Sequence, residues 1–134
     1  MYVTPEGKEI FVLDGHAHFW DGSPENQKNI HGKQFIDCFY AYHTGLSPKE
    51  LLWDKKKFEK YSADDLYQDL FIDGPDDMAI LNSTYLSDFY KNGFNNIERN
   101  MSVAKKFPNR FIVNGSFDPR DGEKALEYIH FMKE

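Results

Sequence analysis

Three short apolar runs constrain the fold most: Ile10-Phe11-Val12-Leu13, Met78-Ala79-Ile80-Leu81 and Phe111-Ile112-Val113. Each is too short for a helix and continuous rather than alternating, the pattern of strands in a sheet covered on both faces. Helical signals lie between them. Ser47-Pro48-Lys49-Glu50 is a capping box with proline at the first helical position, predicting a helix to about Tyr61. Ser62-Ala63-Asp64-Asp65 opens a second, ending at Gly74-Pro75. Ile97, Met101, Ala104 and Phe107 recur at helical spacing before Pro108 stops them. A last helix, capped by Asp121, puts Ala125, Leu126, Ile129 and Met132 on one side. Such alternation makes right-handed parallel crossover units, so the expected class is α/β.

The first strand is expected over Ile10 to Asp14, after a turn at Pro5-Glu6-Gly7-Lys8, and the third runs on towards Phe117. Phe19 to Leu46 carries a turn cluster, a polar stretch and an aromatic patch without clean periodicity. It reads as irregular, and residues of about 19–61 as an insertion or lid after the first strand of a single domain, 1–134. Twelve Phe, eight Tyr and two Trp suit packing between helices and sheet.

The chemistry concentrates at Asp14-Gly15-His16-Ala17-His18. In extended chain, residues two apart point the same way. Asp14, His16 and His18 would then share one side at the carboxyl end of a strand, where α/β proteins place their ligands. Two imidazoles aimed at one point are half of a divalent metal site. Asp14 can support them by accepting from an imidazole or from nearby backbone. The metallo-β-lactamase continuation fails, because Phe19-Trp20-Asp21-Gly22 sets the acid one place late and lacks a third histidine. HExxH, CxxC, the phosphate loop, GxGxxG and GxSxG are all absent.

Weaker candidates for substrate contact are Trp20, directly after the pair, and His43, in the aromatic patch with Asp37, Tyr40 and Tyr42. Asn82 and Tyr85 follow the second strand and Asp118 the third. His31 reads as exposed, His130 as remote from the strand ends, and Cys38 as inert packing.

The net charge of −6 and the lack of a basic block beyond Lys55-Lys56-Lys57 argue against nucleic acid and anionic membrane surfaces as partners. With one cysteine there is no intrachain disulfide. No signal-peptide pattern or run of ~20 apolar residues is present. These features predict a soluble, cytoplasmic protein.

"IFVLDGHAH" resembles the first strand of the metal-dependent amidohydrolase superfamily, whose members carry Asp-x-His-x-His at that place. "NNIERNMSVAKKFPNRFIVNGSFDPRDGEKALEYI" is similar to the helix, Phe-Pro-x-Arg-Phe strand and Asp-Pro turn of the amidohydrolase-related branch that includes aminocarboxymuconate-semialdehyde decarboxylase. The resemblance implies a (β/α)₈ barrel with one divalent metal, zinc being the expected ion. It makes His16 and His18 ligands, and it leaves the remaining ligands and the catalytic acid on later strands. Eight strand–helix units take ~250 residues, so a chain of 134 residues is expected to supply about three of them, as the N-terminal part of a longer enzyme. The implied activity is metal-dependent hydrolysis of a small organic substrate. Non-oxidative decarboxylation is the alternative, and phosphoester hydrolysis is disfavoured by the acidic balance. An inactive partial barrel, self-associating through its open sheet edge into a homo-oligomer, is the non-enzymatic reading.

Overall fold

The computed structural model describes residues 1–132. In chain order the elements are β1 (Tyr2–Val3), β2 (Glu9–Ile10), β3 (Leu13–Ala17), β4 (Trp20–Asp21), α1 (Ile30–Leu46) and α2 (Lys55–Glu59). They continue with β5 (Lys60–Tyr61), α3 (Ala63–Tyr67), β6 (Met78–Leu81), α4 (Ile97–Lys106), β7 (Phe111–Val113) and α5 (Glu123–Phe131). The chain is mixed α/β. It divides into two compact units, one of residues 1–17, 76–83 and 97 onward, the other of 18–75 and 84–96. Among the described residues no helix is long and apolar enough to cross a membrane.

The first unit is built on a parallel sheet in the order β3-β6-β7. The expected first strand is displaced towards the histidines. Glu9 and Ile10 pair instead with Val3 and Tyr2 in an antiparallel hairpin. Val12 is held by its N–H to Asp77 Oδ2 (2.9 Å) and by its carbonyl, which accepts from Asp77 (2.9 Å) and Met78 (3.3 Å). Pairing with β6 therefore begins only at Leu13. The third strand stops at Val113 rather than running to Phe117.

Register sorts the side chains of this sheet onto two faces. Asp14, Ala79 and Phe111 are partners, as are Ala17, Leu81 and Val113. Ala79 and Leu81 are fully buried and Phe111 nearly so, and α4, which packs on β7, buries Ile97, Asn100 and Val103. The opposite face carries Leu13 beside Met78 and Ile80 beside Ile112. There Leu13 is 46 % and Ile112 45 % exposed. The expectation of a sheet covered on both faces thus holds for the α4 face, whereas Leu13 and Ile112 on the other stay open to solvent. At the far end of the unit Gly122, not Asp121, precedes α5, and Leu126 points outward while Ala125 is buried.

The second unit has an aromatic core. Ile36, Phe58, Tyr90 and Phe94 are its buried centre, packed by Trp20, Phe35, Phe39, Tyr40, Trp53, Leu86 and Phe89. The stretch read as irregular contains the longest helix, α1, whose Asn29 cap accepts from the His31 N–H at 3.0 Å. Gly32, Ile36, Phe39 and His43 are spaced as one helical stripe, of which Gly32 and Ile36 are buried. The opposite face, with Cys38, Ala41, Tyr42 and Leu46 exposed, is also apolar, which hides the period. Gly32 is required by a close approach, because a Cβ there would lie 2.6 Å from the Phe89 carbonyl oxygen.

The helix expected from Ser47 to Tyr61 is broken up. Only Lys49–Leu51, a single 3₁₀ turn, and α2 form. The Trp53 N–H donates to His43 Nε2 (2.9 Å), Asp54 caps a fresh turn through the Lys57 N–H (3.0 Å), and Lys60-Tyr61 pairs with Asp21-Trp20. Three competing partners outweigh helix propensity, as tertiary contacts do. The Ser62/Asp65 capping box forms as read, although α3 widens into a π turn over Gln68–Ile72. Asn26 ties the two segments of this unit together. Its amide donates to the Asp21 (2.7 Å) and Gly93 (2.9 Å) carbonyls and accepts from the Asn92 N–H (3.0 Å).

Two stability outcomes follow from these contacts. Trp20→Ala removes a ring that meets Phe39, Phe58, Tyr61 and Phe94 within 6.0 Å. It is expected to cost about 3 kcal/mol in urea unfolding. Asp76 sits before β6, where burial first, then the charges of Asp14 and Asp77, push its carboxyl above the ordinary 3.8. The folded chain then holds this proton more tightly than the unfolded chain, and ionised Asp76 is destabilising above that value. Asp76→Asn should raise the unfolding midpoint at neutral pH and give no gain below the ordinary carboxylate range. An equal gain at both pH values would contradict this.

Candidate functional site

The candidate histidines follow directly from the course of β3. Between Asp14 and Ala17 the strand carries one more residue than β6 has between Ala79 and Leu81. This irregularity is a bulge, and it breaks the two-residue alternation. Asp14 lies on the helix-covered face with Ala79, and Ala17 returns to that face with Leu81. His16, one residue before Ala17 in the strand, is therefore on the uncovered face, and it is exposed. The expectation that Asp14 and His16 share a side does not survive the bulge. Asp14 is nonetheless coupled to His16 through the backbone: its Oδ1 accepts the His16 N–H at 2.8 Å.

Ala17 closes the first unit and His18 opens the second. His18 is half-buried, with Nδ1 3.5 Å from Thr84 Oγ1. Thr84 is in turn fixed by reciprocal backbone bonds with Asn95, at 3.0 and 2.9 Å.

The other sequence candidates scatter. Trp20 is an anchor of the aromatic core, and its indole N–H donates to the Phe58 carbonyl at 2.6 Å. His43 is not on a loop but on α1, stacked on Phe58 with centroids 5.0 Å apart. Because its Nε2 accepts the Trp53 N–H, its Nδ1 carries the proton and donates to Ser47 Oγ at 3.1 Å. Both nitrogens are thus engaged within the protein. Asp118 caps the turn Pro119–Asp121 and holds the Arg120 guanidinium at 2.6 Å. The side-chain bond to Arg120 keeps its carboxyl below the ordinary range. Tyr85 is half-buried in the second unit, its carbonyl accepting the Phe94 N–H at 2.7 Å. His31 and Cys38 are exposed, and His130 lies exposed on α5.

Asn82 is the weaker candidate that does lie with His16. Its N–H continues the ladder by donating to the Ala17 carbonyl (3.1 Å), which keeps it in phase with Met78 and Ile80 on the uncovered face. Asn114, not singled out from the sequence, is its counterpart one residue past β7. The Asn114 N–H donates to the Leu81 carbonyl (2.9 Å), and its Nδ2 donates to Asn82 Oδ1 (2.8 Å). The signal that would have found it is its phase, two residues after Ile112. His16, Asn82 and Asn114 thus share the carboxyl end of one sheet face.

Among the described residues no group of three or more His, Cys, Asp or Glu is arranged to hold a metal ion. The donors offered by the stretch are two imidazoles, the right chemistry for zinc but fewer than the three protein ligands usual at a catalytic centre. No family model, curated protein or solved structure matches this chain.

Proposed function

We propose that this chain forms part of a metal-dependent hydrolase of the amidohydrolase-related type, acting on a small organic substrate, with His16 and His18 as two of the metal ligands. The observation that carries the reading is the position of His16. It stands at the carboxyl end of a parallel strand, on the face opposite α4, beside polar residues at the carboxyl ends of β6 and β7. Ligands of α/β proteins bind at that end.

The sheet supports the finer fold assignment. Parallel strands are rarely left bare on one face. In a (β/α)₈ barrel the helices cover the outside, and branched apolar side chains fill the inside. Leu13, Ile80 and Ile112 are such side chains, on the face opposite α4. The sequential order β3-β6-β7 is that of consecutive barrel strands. In this reading the 19–61 insertion, which lies in the second unit, follows the first barrel strand at its carboxyl end.

A divalent ion, zinc in this proposal, would supply Lewis-acid polarisation of a carbonyl and activation of water. The chain's own part is to present neutral imidazoles. Asp14, by holding the His16 N–H, fixes the backbone from which that imidazole projects. Both rings must be deprotonated to ligate, so affinity falls in mildly acidic solution. With two protein ligands, binding is expected to be weak.

Zinc titration of the 134-residue chain by calorimetry tests this. The expected result is one weak site at neutral pH. His16→Ala and His18→Ala should each lower its affinity by about 10–100-fold, the range that changes in supporting residues already produce. Equal zinc affinity in the wild type and both variants would refute the assignment.

A further inference from the structure

Helices α4 and α5 and the end of β7 border a recess of about 160 Å³, lined by Ile97, Met101, Val113, Gly115, Phe131 and Met132. None of these six residues carries a side-chain hydrogen-bond donor, and the thioethers are weak acceptors. Water needs two to four polar partners to stay in such a place, whereas an apolar hollow of about 150 Å³ admits a benzene-sized ring. Met101 and Met132 are two of the chain's four methionines. Unbranched and polarizable, methionine adapts to what it encloses and favours contact with an aromatic ring. Gly115 is required here, because a Cβ on it would collide with Met132 Sδ. Phe131 is 47 % exposed, so the recess opens at the surface.

Phe131 also borders a second recess, of about 260 Å³, with Tyr128, Glu98 and Glu127. The Tyr128 hydroxyl donates to Glu98 Oε1 at 3.1 Å, which ties α5 to α4 and holds that carboxylate beside the ring. Aromatic faces and ionised carboxylates both attract an organic ammonium group, and the carboxylates repel an anion. The glutamates by themselves would not be selective, since an exposed carboxylate attracts any cation in solution. The apolar recess on the same Phe131 adds a demand for a hydrocarbon part. The net charge of −6 favours the approach of a cation.

We infer that α4 and α5 bind a small aryl-alkyl ammonium compound, its ring in the recess lined by Met101 and Met132 and its ammonium group at Glu98 and Glu127. The site uses neither the histidines nor the asparagines described above, so it stands apart from the proposed metal site.

The experiment is a titration of the chain, ¹³C-labelled at the methionine methyls and without metal. The ligands are 2-phenylethylamine, 2-phenylethanol and 3-phenylpropanoate, which share a ring and differ in charge. The amine is expected to shift the Met101 and Met132 methyl signals saturably while those of Met1 and Met78 stay in place. The alcohol should bind about fivefold more weakly, the scale of an exposed ion pair, and the acid more weakly still. Replacing both carboxylates, Glu98→Gln with Glu127→Gln, should bring the amine to within about twofold of the alcohol. Equal binding of all three ligands, no shift at Met101 and Met132, or a shift at Met78 instead would overturn the inference without any variant having to fold. An undiminished preference for the amine in the double variant would overturn it as well. His16→Ala should leave the amine titration unchanged, so this result and the zinc result are read separately.

Discussion

The bulge in β3 decides which side of the sheet His16 faces. Without the extra residue between Asp14 and Ala17, strict alternation would put His16 on the face that α4 covers. With it, Ala17 packs inward against that layer and His16 stands on the bare face with Asn82 and Asn114. The Asp14 carboxylate, bonded to the His16 N–H, secures the backbone across the irregularity. A bulge re-aims a side chain at the cost of one unpaired residue, which is why such irregularities gather at functional ends of strands.

The second unit is stabilised by different means. Its Trp20, Trp53, Phe58 and Tyr61 rings pack edge and face, with Lys57 Nζ 4.5 Å over the Trp53 ring. Several of its buried polar groups are matched within the unit. Buried Asp21 accepts from the Ser23 N–H and hydroxyl, Asn26 makes its three bonds, and Tyr90 donates to the Gly32 carbonyl at 2.7 Å. Burial, reinforced by the Asp21 and Asp37 charges, pushes the Tyr90 hydroxyl up to about 12. That phenol stays a donor throughout the physiological range.

The parallel strands and the Ser62 cap were legible because local signals and tertiary structure agree there, whereas α4 forms but buries Asn100 and Val103 beside Ile97 and leaves Met101 and Ala104 half-buried. Where two signals competed, local reading failed. Helix α1 was hidden because Tyr42 and Leu46 make its outer face as apolar as its inner one. The Ser47–Tyr61 helix was overestimated because His43 and β4 take the backbone partners that a helix would need. At the candidate site the histidines were visible as a motif, but their direction was not. A bulge is a property of the pairing between β3 and β6, and neither strand records it alone. Asn114 was missed for the same reason: only its register against Leu81 brings it to Asn82.

In the proposed function His16 and His18 together hold one metal ion. Zinc-edge X-ray absorption of the chain loaded with one equivalent of zinc measures the ligands directly. Two imidazole nitrogens at about 2.0–2.1 Å, with oxygen ligands completing the shell, are the expected signature. A shell with no imidazole scattering, or one unchanged when both histidines are replaced, would contradict it.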